Sequence, residues 1–419
     1  MKRRSSLVMH IAAVSLLSVL SLVAMLRIAV PSIHAAGFSG SFFAPYTDMT
    51  LFPTPSLTQM TQTTGLKFYS LAFITNANTG TCLAAWGGSV TFAQESTFLP
   101  NLQSDIQFVR SQGGDVTVSF GGQAGTELAD SCSSESTLQA QYQSVIDHYH
   151  LTHIDFDIEG AAVAEQNSID MRNKAIAALQ QANPGLFVSY TLPVLPSGLV
   201  DTGINILKNA IQNGVNIGIV NVMAMDYGSA FPSDMGQNAI NAGNNLFSQL
   251  KSLLPAKSDS QLHAMIGITP MIGINDINSE IFTEQNAQQL LAYAQQNQIG
   301  ELAMWSEGRD KPCANPTGFA SPSCSGISQQ AFDFTNIFNP FSGVVTPPPP
   351  PTVTPTQTVT PTATATPPPG VSPWDSNSHV YHVGDKVFFQ GHVYQCLQAH
   401  TSQPDWTPAA VPALWQLLS

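Results

Sequence analysis

Asp155-Phe156-Asp157-Ile158-Glu159-Gly160 places three carboxylates at a spacing of two inside an otherwise apolar stretch. Alternate side chains of a strand point to opposite faces, so Asp155, Asp157 and Glu159 share one face while Phe156 and Ile158 take the other. Folding alone does not ask for three acids in a row. With about 3.3 Å of rise per residue, Glu159 lies about 7 Å along the strand from Asp157 and about 13 Å from Asp155. Glu159 is nearest the strand's C-terminal mouth and Asp155 is deepest. Crowded, partly buried carboxylates cannot all ionise cheaply, so at least one pKa is pushed up, which suits Glu159 to donating a proton. A purely structural use, as calcium ligands or partners of buried Arg, is disfavoured by how few Arg the chain holds there.

Outward from this strand, short apolar runs at 40–46, 67–74, 115–120, 187–192, 215–225, 263–269 and 301–305 alternate with helical periodicity at 102–111, 137–149, 167–182, 203–213, 237–254, 283–298 and 329–338. With 153–159, that makes eight strands with helices after most of them, the count of an α/β fold of the (β/α)8 TIM barrel type. An open doubly wound sheet is the rival. No Gly-rich loop with dinucleotide or phosphate-loop spacing follows any strand. In such a barrel, function gathers at the C-terminal strand ends. There the third strand ends Ser119-Phe120-Gly121-Gly122, the sixth Met223-Ala224-Met225-Asp226-Tyr227-Gly228 and the eighth Met304-Trp305-Ser306-Glu307.

The chain has 419 residues, 43% hydrophobic and only 10% charged, with a net charge of −13. Its first 36 residues run basic (Lys2-Arg3-Arg4), then apolar, then Pro31 to Ala36, the order of a secretory signal. The second reading is an uncleaved membrane anchor, because the apolar stretch is long, although Arg27 interrupts it. Cleavage removes Lys2, Arg3, Arg4 and Arg27 and no acid, taking the charge from −13 to −17. So acidic a surface disfavours nucleic acid and anionic lipid. Neither a metal nor a cofactor is expected, and a secreted monomer without a stable membrane partner is. The five cysteines suit an oxidising compartment: Cys82 with Cys132 and Cys313 with Cys324 are the expected pairs, leaving Cys396 as a buried thiol. The His residues read as surface or loop positions. Almost only Pro, Thr, Val and Ala fill 346–370, a stiff spacer able to separate two units by about 75 Å. The expected organisation is a signal at 1–36, a barrel at 37–343, a linker at 344–371 and a small all-β module at 372–419.

The ordered set Ser119-Phe120-Gly121-Gly122, Asp155-Phe156-Asp157-Ile158-Glu159, Met223-Ala224-Met225-Asp226-Tyr227 and Trp305 closely resembles the family-18 glycoside hydrolases, the bacterial chitinases in particular. The resemblance implies a retaining, substrate-assisted hydrolysis of β-1,4 links between N-acetylglucosamine units. By it, Glu159 is the acid/base, Asp157 holds the acetamido group, and Asp155 shares a proton with Asp157. Asp226 contacts the acetamido group or the intermediate, and Trp305 forms the floor beneath the sugar. Where the family often has Met-x-Tyr-Asp, this chain has Met225 in the Tyr position, and Tyr227 is the candidate to supply the hydroxyl. Tyr46, Ser119, Gly121, Gly122, Met223 and Met225 complete the expected substrate site. Only about thirty residues separate Thr269 from Glu301, mostly one helix, so a shallow cleft and endo attack are expected.

The tail resembles the chitin-binding modules of carbohydrate-binding families five and twelve, through Tyr381-x-x-Gly384-Asp385, Gly391-x-x-Tyr394-x-Cys396, His400-Thr401-Ser402-Gln403, Trp406-x-Pro408 and Pro412-Ala413-Leu414-Trp415. Strands are expected at 386–389 and 392–398, with a turn at Gln390-Gly391. So small a unit needs rings merely to fold, and Tyr381 and Tyr394 are read as core. Trp406 is the ring expected on the binding surface. Trp415 and Trp374 are also candidates, in positions more often structural. The implied partners are chitin and chito-oligosaccharides. The alternatives are an endo-β-N-acetylglucosaminidase acting on N-glycans or peptidoglycan, and a non-hydrolytic chitinase-like lectin, which usually lacks the acid that Glu159 supplies.

Overall fold

The computed structural model describes residues 38, 40–77, 81–231, 234–342, 368–375, 379–402, 407–408, 411 and 414–418. The signal at 1–36, most of the Pro/Thr-rich linker, and Trp406 lie outside the described residues. The chain divides into two compact units between Val345 and Thr346. No helix among the described residues is long and apolar enough to cross a membrane.

The first unit is a closed barrel of eight parallel strands. Strands two to seven are Phe68–Asn76, Asp115–Gly121, His153–Asp157, Phe187–Pro193, Ile219–Ala224 and Ile266–Pro270, each paired with the next, and the eighth is Glu301–Leu302. The first strand closes the ring in two pieces. Phe42–Phe43 pairs with the eighth strand and Tyr46–Asp48 with the second. Pro45 marks the changeover: it has no N–H to give, and its carbonyl takes Ser70 N–H at 3.0 Å.

The alternation read in the fourth strand holds. Phe156 packs outward against Phe120, Tyr142 and Tyr190 beneath the helices Glu135–Tyr149 and Gln166–Ala182. Asp155 faces a polar interior of Tyr46, Ser119, Ser189 and Thr191.

Several boundaries differ from expectation. The sixth strand begins at Ile219 and the seventh at Ile266, because residues before the latter form a short helix, Asp259–His263, whose start Ser258 caps by accepting Gln261 N–H. The fourth strand's ladder stops at Asp157. Ile158 still donates to Thr191 O at 3.0 Å and Glu159 is extended, before Gly160 turns the chain at φ 60°. Helix Leu57–Thr64 went unread, being Thr-rich with only Leu57, Met60 and Thr61 buried; Ser56 caps it and Gly65, at φ 71°, ends it.

His153 contradicts the reading of the histidines as surface groups. It is wholly buried at the barrel base, edge-on to Phe38, Phe42 and Phe187, and burial pushes its pKa down to about 3. Both expected disulfides are present, and Cys396 is a buried free thiol.

In the second unit, Lys386–Phe389 and His392–Cys396 form the expected hairpin. Gln390 at φ 47° and Gly391 at φ 89° supply the left-handed pair that a two-residue turn requires. Tyr381, Val387, Tyr394, Cys396 and Trp415 make its core.

Candidate active site

Strand register assembles the acids' surroundings. Asp155 lies level with Ser119 on one neighbouring strand and Ser189 on the other. One Asp155 oxygen accepts Ser189 Oγ at 2.6 Å and Thr191 Oγ1 at 2.9 Å; the other accepts Ser119 Oγ at 2.7 Å and Tyr46 Oη at 3.0 Å. Burial raises the Asp155 pKa, and these four hydroxyls oppose the rise.

Asp157, two residues nearer the mouth, is held well above the usual carboxylate range by burial and then by the Glu159 and Asp155 charges. One of its oxygens has no hydrogen-bond partner among the described residues. Glu159 is half-buried, and burial, followed by the charges of Asp226, Glu127 and Asp276, pushes its pKa up to about 7.

These acids open on a cavity of about 720 Å³ lined by Tyr46, Phe73, Gln123, Asp157, Glu159, Thr191, Met223, Met225, Asp226, Asp276 and Trp305, among others. Trp305 and Phe73 stack at 5.5 Å with 15° between planes, an aromatic wall suited to the flat apolar face of a sugar. A second cavity of about 710 Å³ at the barrel base, beside Phe38, Phe42 and Phe187, has no carboxylate in its lining.

Several expected site residues play other parts. Ser119 acts beneath the cavity, through Asp155. At Gly121, φ 109°, a Cβ would lie 2.0 Å from Asp157 O, and at Gly122, φ 87°, 2.6 Å from the Phe73 ring. Both glycines permit close approach and neither lines the cavity. Tyr227 is also absent from the lining; its ring is buried against Phe231 and its hydroxyl has no partner among the described residues. Trp415 is only 2% exposed and belongs to the second unit's core, and Trp374 is half-buried against Phe389.

Sequence reading missed Phe73, Gln123, Glu127, Asp276, Glu280 and Glu301. Glu127 pairs with buried Arg172. Glu301 is buried on the eighth strand, where desolvation and then the Asp155 charge hold its carboxyl well up. Only Glu301, an acid within an apolar strand, carried a signal of the kind that singled out Asp155.

A parallel eight-stranded barrel with acids at its strand ends over an aromatic wall is a glycoside-hydrolase arrangement. The chain is 36% identical to active domain 2 of the chitinase from Pyrococcus furiosus, with a TM-score of 0.66, over 73% of this chain and 96% of that one. A crystal structure of mutants of that domain is described as complexed with chito-oligosaccharides. Over 318 residues it is 37% identical to the probable bifunctional chitinase/lysozyme of Escherichia coli strain K12, covering 72% of this chain and 34% of that protein. Over 284 residues it is 38% identical to endochitinase 11 of Metarhizium anisopliae, covering 65% of this chain and 53% of that protein. It thus spans about a third and about half of these two relatives. Residues 373–416 match carbohydrate-binding module family 5/12. The chain belongs to the chitinases of glycoside hydrolase family 18 and carries a family 5/12 module.

Proposed function

We propose that this protein is a secreted, endo-acting chitinase that hydrolyses β-1,4 links between N-acetylglucosamine units with retention of configuration. The observation that carries the reading is the pair at the mouth: Glu159 with a pKa near 7 beside Asp157 with an unpartnered oxygen.

Protonated Glu159 gives its proton to the glycosidic oxygen as the bond to the anomeric carbon breaks. The acetamido oxygen of the same sugar bonds to that carbon, closing an oxazolinium ring. Asp157 accepts the acetamido N–H and faces the positive charge that develops. Water then attacks the anomeric carbon as the bond from that carbon to the acetamido oxygen breaks, reopening the ring to the acetamide, and gives its proton to Glu159, restoring the acid. The nucleophile comes with the substrate, so one working acid/base suffices. Residues 1–36 direct secretion, 344–371 form the linker, and the tail module, through Trp406, holds the enzyme on the polymer. Between strands seven and eight stand a short hairpin, Gly273–Ile274 with Ile281–Phe282, and helix Glu284–Asn297, which favours an open cleft.

The test is the mass-resolved product pattern from chitin and from a glycoprotein, for wild type and Glu159→Gln. The variant is expected to lose about 10²–10⁴-fold in kcat. Equal activity in the two proteins overturns the mechanism, and digestion of glycoprotein but not chitin indicates an endo-β-N-acetylglucosaminidase. A pool dominated by dimer from the first minutes overturns endo attack.

A further inference from the structure

We propose that Glu280 is a positioning residue that sets the place of Asp226 by clasping the loop after the seventh strand to the loop after the sixth. The proposal rests on the reading of Asp226 as part of the substrate site.

Asp226 stands at φ 50°, a left-handed backbone that residues with a Cβ adopt at a cost, and Gly228 follows at φ 109°. A turn of this kind needs outside support. Glu280, fully buried, accepts Tyr227 N–H at 3.0 Å and Gly228 N–H at 2.7 Å, one on each carboxylate oxygen. Asp226 returns the contact by accepting Ile277 N–H at 2.8 Å. The two loops therefore hold each other through three bonds from amide to carboxylate, across some fifty residues of sequence.

The Glu280 side of the clasp is itself anchored. Asn275 N–H donates to Glu280 O at 3.0 Å and Glu280 N–H to Ile277 O at 2.8 Å, closing the turn that aims the side chain. Beneath it, Arg309 from the loop after the eighth strand donates to Ile272 O at 2.8 Å and Ile274 O at 2.6 Å, and Ile274 N–H donates to Ser325 O at 2.8 Å. Asp226 thereby takes its position from two other loops. The charged groups that face it are Glu159, Asp276, Glu280 and Arg309. Of these, only Glu280 bonds to the backbone that carries it.

The test uses the full chain with Glu280→Leu, which removes both acceptors, and Glu280→Gln, whose amide oxygen keeps one. On a soluble N-acetylglucosamine oligomer, Glu280→Leu is expected to lower kcat about 10²-fold with a smaller change in KM, and Glu280→Gln to recover part of the loss. In an Asp226→Asn background, Glu280→Leu should cost nothing more; losses that multiply overturn the proposal. A readout independent of activity is the titration of the Asp226 carboxyl followed by ¹³C NMR. Burial is the main cause of its raised pKa, so in Glu280→Leu the midpoint should fall toward the ordinary aspartate value of about 3.9, and in Glu280→Gln part of the way. An unchanged midpoint in both overturns the clasp. A wild type without hydrolytic activity would overturn the chitinase reading instead, while the titration still decides the clasp. If Glu280→Leu does not fold, Glu280→Gln carries each comparison.

Discussion

Glu159 is placed to be protonated at neutral pH because desolvation and three acids, Asp226, Glu127 and Asp276, all oppose its charge. As the proton donor it works in the protonated form, so activity should fall as pH rises through about 7. Asp226→Asn removes the largest of the opposing charges, so Glu159 should then ionise at lower pH and the alkaline limb of kcat/KM on a soluble oligomer should move to the acid side. A limb that stays or moves to higher pH would show that Asp226 does not act on Glu159 through charge. Asp155 is a different case: its four hydroxyl donors leave neither oxygen free to contact substrate. Its charge is instead one of the causes that raise the Asp157 pKa.

Among the elements, the third and fourth strands are bound to each other by a close approach that only glycine allows. Gly121→Ala would set a Cβ on Asp157 O while keeping a left-handed φ, and should cost about 3 kcal/mol of stability, visible as a lowered Tm. It should also lower kcat, because Asp157 rides on the backbone that has to move. An alanine variant with the Tm and kcat of wild type would remove this explanation of the Gly-Gly signature. The element boundaries show what sequence conveys. Long amphipathic helices such as Gln166–Ala182 were legible, whereas Leu57–Thr64 was not, since one turn of buried Leu57 and Met60 carries little periodicity. The eighth strand reached its expected length only in part, because its ladder is two residues long and Trp305 continues it as an isolated bridge to Met271, donating its N–H to Pro270 O at 2.8 Å and accepting Ile272 N–H at 3.0 Å.

At the scale of the molecule, a catalytic unit and a small binding unit follow one another in the chain. If the tail module works by raising the enzyme's local concentration on an insoluble polymer, truncation after residue 342 should leave kcat/KM on soluble oligomers unchanged. Turnover of insoluble chitin should fall severalfold, and Trp406→Ala should reproduce most of that fall. Equal rates of the full and truncated chains on the insoluble polymer would leave the module without this role.

The strand count, the face shared by Asp155, Asp157 and Glu159, the cysteine pairing and the tail hairpin were determined by sequence alone, because each depends on local periodicity or residue chemistry. The row of hydroxyls around Asp155, the stacking of Phe73 on Trp305, the burial of His153 and Tyr227, and the Glu280 clasp were decided only by the tertiary structure. They depend on strand register and on loops meeting across the barrel mouth, and residues about fifty positions apart carry no mark in the sequence of which amide each carboxylate will find.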